Sequence, residues 1–158
     1  MHPKQDFLKY WRVIRYYVKA KYGLTTPDLE MLLFLYSERY FKRAKFYEYS
    51  TIMSWDKLRF DRLRTQEWIV VFRKPNRRAG EGAVYCLSHK AKGVIKSIYQ
   101  KLLANDEISL DIKRNPMAKT IPKHEGNFAE RTYANRAYRA MIKKMNAEYR
   151  EMRGLEKL

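Results

Sequence analysis

Cysteine and histidine are scarce in this chain of 158 residues, and each shortage excludes a kind of site. The one cysteine, Cys86, permits neither an intramolecular disulfide nor a cysteine-based zinc site. The three histidines are scattered, and none has a partner at a ligand spacing such as His-x3-His. The run from Gly80 to Gly82 lacks the Lys and Ser/Thr of a phosphate-binding loop. We therefore expect no enzyme, no metal and no cofactor.

Long apolar runs are also missing. No run approaches the roughly 18 residues that a membrane span needs, and the first residues do not have the pattern of a signal peptide. The apolar share of 46% is nevertheless enough for a folded core. We expect a soluble, intracellular protein of one domain, with or without an appendage.

Acidic residues are few, with 17 Asp and Glu against 34 Lys and Arg, which gives a net charge of +17. Residues 1–104 carry 22 basic and 9 acidic side chains, so the excess is not confined to a basic tail. Self-repulsion of this size destabilises a compact chain and is usually tolerated for a polyanionic partner. Nucleic acid is the leading interpretation; an anionic membrane, an acidic protein and no specific partner remain alternatives.

The first third of the chain has helical periodicity. Residues 4–22 form an amphipathic pattern that ends at Gly23. A second helix follows, for which Thr26 is a suitable N-cap and Pro27 a suitable first residue. The apolar residues predicted to be buried in it are Leu29, Leu32, Leu33 and Tyr36. This second helix is the predicted centre of the core.

The middle third changes from helix to strand. Residues 41–50 predict a short third helix, and residues 54–66, capped by Ser54, predict a fourth. Branched and aromatic residues then enclose turn residues, which predicts a β-hairpin over 70–87. Ser88 is placed to cap a fifth helix.

The last third has a different texture. Residues 105–126 contain two prolines and mixed polarity, which indicates a connector. Asn127 and Glu130 resemble a capping box that opens a long helix to about residue 152. We therefore predict a winged-helix domain at 1–104 that includes an N-terminal dimerisation helix, a connector at 105–126 and a C-terminal helix at 127–158. The fold class is mainly α with a small β-hairpin, with terminal helices used for dimerisation.

The fourth helix and the hairpin together concentrate positive charge. Residues 57–78 hold eight basic side chains against Asp61 and Glu67, a net charge of +6 in 22 residues. A helix fits the major groove of DNA, and an adjacent hairpin can reach across a phosphate strand to the minor groove. Cations at a hairpin tip repel one another but bind phosphate favourably, because neutralised phosphates release counterions. The order of helices and hairpin is that of a winged helix-turn-helix.

Residues 24–103 resemble the multiple-antibiotic-resistance regulator (MarR) family of winged-helix DNA-binding proteins. The resemblance is carried by "LTTPDLEMLLFL", "WDKLRFDRLRTQEWIVVFR" and "CLSHKAKGVI". It implies a dimer whose recognition helices enter successive major grooves, with terminal helices forming the dimer interface. The family usually has a glycine in the turn before the first wing strand, where this chain has Gln66 and Glu67. It commonly has an Asp-x-Arg pair in the wing, and "PNRRAG" lacks the acid.

The resemblance assigns roles to individual residues. Base contacts are expected from Ser54, Trp55, Lys57 and Arg59 in the first half of the recognition helix, although Trp55 suits a packing role better than a stacking or thymine-methyl contact. Arg62 is a candidate for a phosphate or base-edge contact, whereas Leu63 and Phe60 are expected in the core and Leu58 is ambiguous. In the wing, Arg77 and Arg78 are candidates for the minor groove, and Arg73 and Lys74 for phosphate.

Dimerisation is expected from the apolar faces of the first and last helices. The residues assigned to it are Trp11, Ile14, Val18, Tyr138, Met141 and Met145. The last helix also suits docking of another protein or binding to an anionic membrane surface. A small ligand lined by Tyr16, Tyr17, Tyr36 and Tyr40 is a further hypothesis, because similar proteins bind phenolic or anionic ligands.

The sequence thus predicts a homodimeric, sequence-specific regulator that binds double-stranded DNA in the cytoplasm, associated with the nucleoid. The alternative is a structural or nucleic-acid-packaging protein, of a virus or mobile element for example, that uses a winged-helix body without sequence preference.

Overall fold

The computed structural model describes residues 6–53, 56–122, 129–133 and 136–156, with backbone alone for 119–122, 129–133 and 155–156. The described helices, α1 to α6, are Trp11–Tyr22, Thr26–Glu38, Arg43–Met53, Arg59–Thr65, His89–Leu102 and Arg136–Glu156. The described strands, β1 to β5, are Tyr40–Phe41, Ile69–Arg73, Val84–Leu87, Ala118–Pro122 and Ala129–Tyr133. The fold is mainly helical with small antiparallel sheets, which confirms the predicted class of mainly α with a small β-hairpin.

The chain divides into two compact units. Unit 1 contains residues 1–24 and 97–158, and unit 2 contains residues 25–96. The first eight residues of α5 belong to unit 2 and the rest to unit 1. These divisions differ from the predicted boundaries after residues 104 and 126, because the N-terminal helix groups with the C-terminal residues.

Local signals set the ends of the first two helices. Gly23, with φ of +67°, ends α1 in a left-handed conformation that glycine adopts without steric strain. Thr25, not the predicted Thr26, is the N-cap of α2: its Oγ1 accepts the Asp28 N–H at 3.2 Å. The Thr25 N–H in turn donates to Asp28 Oδ2 at 3.0 Å, which completes a capping box.

The buried face of α2 is rotated from the predicted one. Leu29 and Leu32 are buried as expected, together with Met31 and Leu35. The predicted Leu33 and Tyr36 are only half-buried. Because α2 is apolar nearly all round, its sequence alone does not define which face points inward.

Unit 2 contains a three-stranded antiparallel sheet with the strand order β1-β3-β2. The hairpin of β2 and β3 was predicted, but the two-residue strand β1 lies where the third helix was expected to begin. The fourth helix is also shorter than the predicted 54–66, because α4 begins at Arg59 after a turn over 56–58. Ser54 and Trp55 lie outside the described residues.

A left-handed residue joins α4 to the hairpin. Glu67 has φ of +62° and its N–H donates to the Arg64 carbonyl at 3.0 Å. The next N–H, that of Trp68, donates to the Leu63 carbonyl at 2.9 Å. Glu67 thus has a left-handed backbone conformation that favours glycine, at a conformational cost of about 1 kcal/mol.

An aromatic cluster forms the core beneath the sheet of unit 2. Phe60 is fully buried, and its ring lies 5.1 Å from the rings of both Phe46 and Tyr85 and 6.5 Å from that of Phe41. Phe60 and Leu63 therefore face the core as predicted. One face of α4 is fixed by this packing.

Unit 1 is built around the contact of α1 with α6. The rings of Tyr10 and Tyr149 meet edge to face at 5.9 Å, and those of Tyr16 and Tyr138 lie 4.8 Å apart. The two helices are therefore antiparallel.

Three of the residues assigned to dimerisation are used inside the chain. Ile14, Val18 and Met145 are at most 1% exposed in a single chain, so they are core residues and not surface residues. These three side chains, which the sequence assigns to a dimer interface, are therefore already buried in a single chain. Trp11 and Tyr138 are half-buried and Met141 is exposed, so dimerisation through these three stays a prediction.

The region interpreted as a connector and the start of the last helix contains a second hairpin. Strands β4 and β5 pair antiparallel from Ala118 opposite Tyr133 to Pro122 opposite Ala129. Glu130 is therefore in a strand and not in the first turn of a helix, and Asn127 lies outside the described residues. The last helix, α6, begins later than predicted and extends to Glu156.

The segment before β4 is attached to α6 by side chains. The buried Asn146 amide donates to the Ile108 carbonyl at 2.8 Å and accepts the Ile108 N–H at 3.3 Å. Glu107 accepts hydrogen bonds from Arg150 and Arg153, and that of Arg150 lowers the pKa of the Glu107 carboxyl most. Residues 107 and 108 are thus held on α6.

Candidate nucleic-acid interface

The hairpin of unit 2 contains a β-bulge at Phe72. Ile69, Val70 and Val71 lie opposite Leu87, Cys86 and Tyr85, but the next pair joins Arg73 to Val84. Phe72 is therefore an extra residue in β2 without a partner in the ladder. A bulge redirects side chains and increases local twist.

The tip of the hairpin is a closed turn. Asn76 and Glu81 exchange two backbone hydrogen bonds of 2.9 Å, which leaves a four-residue loop. Within the loop, the N–H of Gly80 donates to the Arg77 carbonyl at 3.2 Å, and Gly80 has φ of +67°. Arg77 and Arg78 occupy the first two loop positions, where the prediction placed them, and both are exposed.

The four cations of the hairpin, Arg73, Lys74, Arg77 and Arg78, are exposed and are called here the hairpin cations. Within the described part of the chain, no carboxylate forms an ion pair with any of them. The like charges of adjacent residues 73–74 and 77–78 therefore repel one another, and no ion pair with a described carboxylate offsets that repulsion. An external anion would remove that repulsion.

The sequence prediction for Arg59 is wrong. Its side chain is only 11% exposed, and its guanidinium donates to Thr25 Oγ1 at 3.0 Å and to Asp28 Oδ1. Burial alone would raise the pKa of the Asp28 carboxyl, but hydrogen bonds from Thr25 and Arg59 outweigh it and lower that pKa. Arg59 connects the start of α4 to the capping box of α2 and is not available to contact a base.

The remaining cations of the α4 region are also engaged, with one exception. Arg62 pairs with Asp56 at 3.3 Å, and the Arg64 guanidinium lies 4.9 Å above the Tyr85 ring. Lys57 lies in the turn before α4 and is exposed, with no ion pair to a described residue. The structure therefore places the uncompensated charge mainly on the hairpin and less on the helix than predicted.

A carboxylate on α4 has a partner as well. Asp61 accepts a 2.8 Å hydrogen bond from Arg43 on α3, whose guanidinium lies 4.8 Å from the Phe60 ring. The hydrogen bond to Tyr47, together with Asp61, raises the pKa of Arg43. This pair links α4 to α3.

Two exposed aromatic residues lie side by side, although the sequence did not indicate that Tyr40 and Phe72 would meet. Tyr40 is 55% exposed and Phe72 is 59% exposed, and their ring centroids are 4.4 Å apart. We call Tyr40 and Phe72 the ring pair. The sequence feature that could have indicated an exposed ring at these positions is an adjacent cation, in Arg39-Tyr40 and in Phe72-Arg73.

Other hypotheses from the sequence receive less support. Tyr16 and Tyr17 belong to unit 1, whereas Tyr36 and Tyr40 belong to unit 2, so the tyrosine-lined ligand site stays a prediction. In the described ranges, no group of three His, Cys, Asp or Glu side chains is arranged to hold a metal ion.

No described helix combines the length and the apolar character required to cross a bilayer. Comparison with known proteins gave no match, because no family model, no curated protein and no solved structure is similar enough to the chain.

Proposed function

We propose that the protein binds double-stranded DNA through the hairpin and α4 of unit 2, as a sequence-specific, MarR-like transcription regulator. The observation that carries the proposal is the set of hairpin cations, which are exposed on an ordered hairpin without carboxylate partners among the described residues. Such a cluster is unfavourable in isolation and favourable against phosphate, where each contact releases counterions.

The topology of unit 2 supports the same proposal. From α2 to β3 the order is helix, strand, helix, helix and hairpin, with β1 pairing to the returning strand β3. This is the order of a winged helix. In that architecture α4 is the recognition helix and residues 74–83 are the wing. Lys57 and Arg62 are the cations of the α4 region that are exposed.

The decisive experiment removes two hairpin cations and compares their loss with an equal loss of charge elsewhere. The double variant Arg77→Ala, Arg78→Ala should bind a duplex at least about tenfold more weakly, and its salt slope should fall by about two. The matched control is Lys113→Ala with Arg114→Ala, two adjacent exposed cations of unit 1. The control should bind like the unchanged protein; equal losses in both variants would contradict the assignment to the hairpin.

A second candidate function is packaging of nucleic acid without sequence preference. One observation favours it: unit 1 carries 19 basic and 9 acidic residues, a net charge of +10, against +7 for unit 2. Binding of a selected and a random duplex should be compared at several salt concentrations. A regulator should prefer its selected site by about a thousandfold, whereas a packaging protein should show a steep salt slope and little preference.

A further inference from the structure

The ring pair lies on the face of the unit 2 sheet that points away from the aromatic cluster. Tyr40 is opposite Cys86, and Cys86 is in turn opposite Val70, so these three side chains share one face. On β3, Tyr85 and Leu87 are buried while Val84 and Cys86 are half-buried, which identifies the outer face. Because β3 is the central strand, the rings from β1 and β2 meet above it.

This arrangement is not required by the core. The core side of the sheet is filled by Phe41, Tyr85, Leu87 and Ile69, all of which are buried. Phe72 follows Val71, which is opposite the buried Tyr85, so strand alternation places Phe72 on the outer face, at a bulge that interrupts the β2–β3 ladder. Two neighbouring aromatic side chains that each remain more than half exposed are typical of a recognition surface.

The charges around the ring pair differ between its two sides. Beside Phe72, along β2, are Arg73 and Lys74, which are exposed and have no ion pair with a described residue. Beside Tyr40 are the exposed Arg39 and a depression whose lining contains Lys42 and Lys45, but also the carboxylates of Glu38 and Glu48. If a ligand carries both a flat apolar ring and an anionic group, its anionic group is therefore attracted to Arg73 and Lys74, on the Phe72 side of the ring pair.

A nucleotide whose base is not paired has these two features in one ligand. Its base presents a flat π-face, and its phosphate is attached through a single sugar. Every base of a duplex is covered by its neighbours except at ends and unpaired positions. The ring pair is therefore complementary to single-stranded nucleic acid more than to the interior of a duplex.

We infer that the ring pair of Tyr40 and Phe72 stacks one unpaired base of DNA, while Arg73 and Lys74 bind the phosphate beside it. The inference rests on the proposed function, since it takes the hairpin as the nucleic-acid-binding element and adds the single-stranded segment that it prefers. The preferred ligand is a duplex that continues into a single strand.

The test compares a blunt duplex with the same duplex carrying a short single-stranded overhang, by fluorescence anisotropy at one salt concentration. Stacking of one base corresponds to a factor of about five to a hundred in affinity, so the overhang should strengthen binding about tenfold. Phe72→Ala and Phe72→Leu should both abolish this advantage, whereas Phe72→Trp should retain it. The Leu variant keeps an apolar side chain and removes only the aromatic ring.

The matched control is Ile52→Ala, because Ile52 is a 69% exposed apolar residue on α3 of the same unit. It should keep the full advantage of the overhang, and circular dichroism should show that all variants fold. No advantage for the overhang in the unchanged protein, or an advantage that survives Phe72→Ala, would overturn the inference. Binding of the overhang strand without binding of the blunt duplex would uphold it and overturn the duplex function instead.

Discussion

The two units each contain a pair of arginines, but only one pair has a carboxylate partner among the described residues. The pairs are Arg150 and Arg153 in unit 1 and Arg77 and Arg78 in unit 2. The first two bind the carboxylate of Glu107, which lies more than 40 residues away in the sequence. The second two lie on a tight turn and pair with no described carboxylate. Unit 1 nevertheless has the larger net charge, so the number of cations does not locate an interface. The location of cations without an internal partner is more informative.

The comparison of the two units assumes that the apolar side chains of unit 1 form a core within one chain and not an interface between two chains. Ile14→Ala removes most of a fully buried side chain and should lower the free energy of unfolding by about 3 kcal/mol. Leu8→Ala, at a 76% exposed position, is the control and should change it by less than about 0.5 kcal/mol. Urea denaturation at two protein concentrations measures both. A destabilisation by Ile14→Ala that depends on concentration would restore the dimer interface that the sequence predicted.

Within unit 2, an engaged arginine and an unpaired arginine should behave differently. Arg59→Ala leaves Asp28 partly buried without its partner and should lower the free energy of unfolding by about 2 kcal/mol. Arg77→Ala should leave stability nearly unchanged. Thermal and urea denaturation provide the measurement. Equal effects of the two substitutions would show that Arg59 does not connect α4 to α2.

The same pair gives a pH dependence with a definite sign. The pKa of Asp28 is below its ordinary value of 3.8, so its contribution is fully present above that value and is lost as the pH falls through the lowered pKa. The unchanged protein should therefore lose more stability between pH 5 and pH 2 than Arg59→Ala does. Parallel losses in the two proteins would contradict the pairing.

Unit 1 should instead respond to alkali. Burial raises the pKa of Tyr149 to about 12, so the neutral phenol stabilises the fold below its ordinary pKa near 10 and this contribution is lost as the pH rises towards 12. Tyr149→Phe should remove about 1–2 kcal/mol of the stability loss over that range. Denaturation midpoints at pH 8 and pH 11 give the comparison. An unchanged alkaline loss in the variant would show that Tyr149 ionises freely in the folded state.

The smallest expected effect concerns α6, which has an arginine at the positive end of its helix dipole and another at the negative end. The first turn contains no acidic residue, and Arg136 there is exposed at the positive end of the helix dipole. Arg136→Glu should raise the free energy of unfolding by about 0.5 kcal/mol. Arg153→Glu, in the last turn beside Glu107, should lower it. Thermal denaturation of the two variants should therefore give shifts of opposite sign.

Much of the fold was predictable because its signals are local. Helical periodicity, Gly23 and the cap at Ser88 located α1, α2 and α5, and turn residues between branched residues located the β2–β3 hairpin. The strands β1, β4 and β5 were missed. Two residues of β1 carry too little pattern to be identified, and they form a strand only because β3 lies beside them.

In the candidate site, too, the features that depend on local sequence were predictable and those that depend on distant residues were not. The positions of Arg77 and Arg78 follow from turn chemistry, which is local. The role of Arg59 does not, because its partner Asp28 is 31 residues away and no pattern in the sequence connects them. An amphipathic face likewise indicates that Ile14 and Met145 are covered without indicating what covers them.

The amide of Asn146 has a consequence for how unit 1 responds to acid. It hydrogen-bonds both backbone groups of Ile108, as a neighbouring strand would. A side-chain amide neither gains nor loses a proton in the pH range where carboxylates titrate. The adjoining hydrogen bonds that Arg150 and Arg153 donate to Glu107 weaken when that carboxyl is protonated. Acidification should therefore release residue 107 from α6 before residue 108. The segment before β4 should separate from α6 in steps, and the hydrogen bonds of Asn146 should be the last to break.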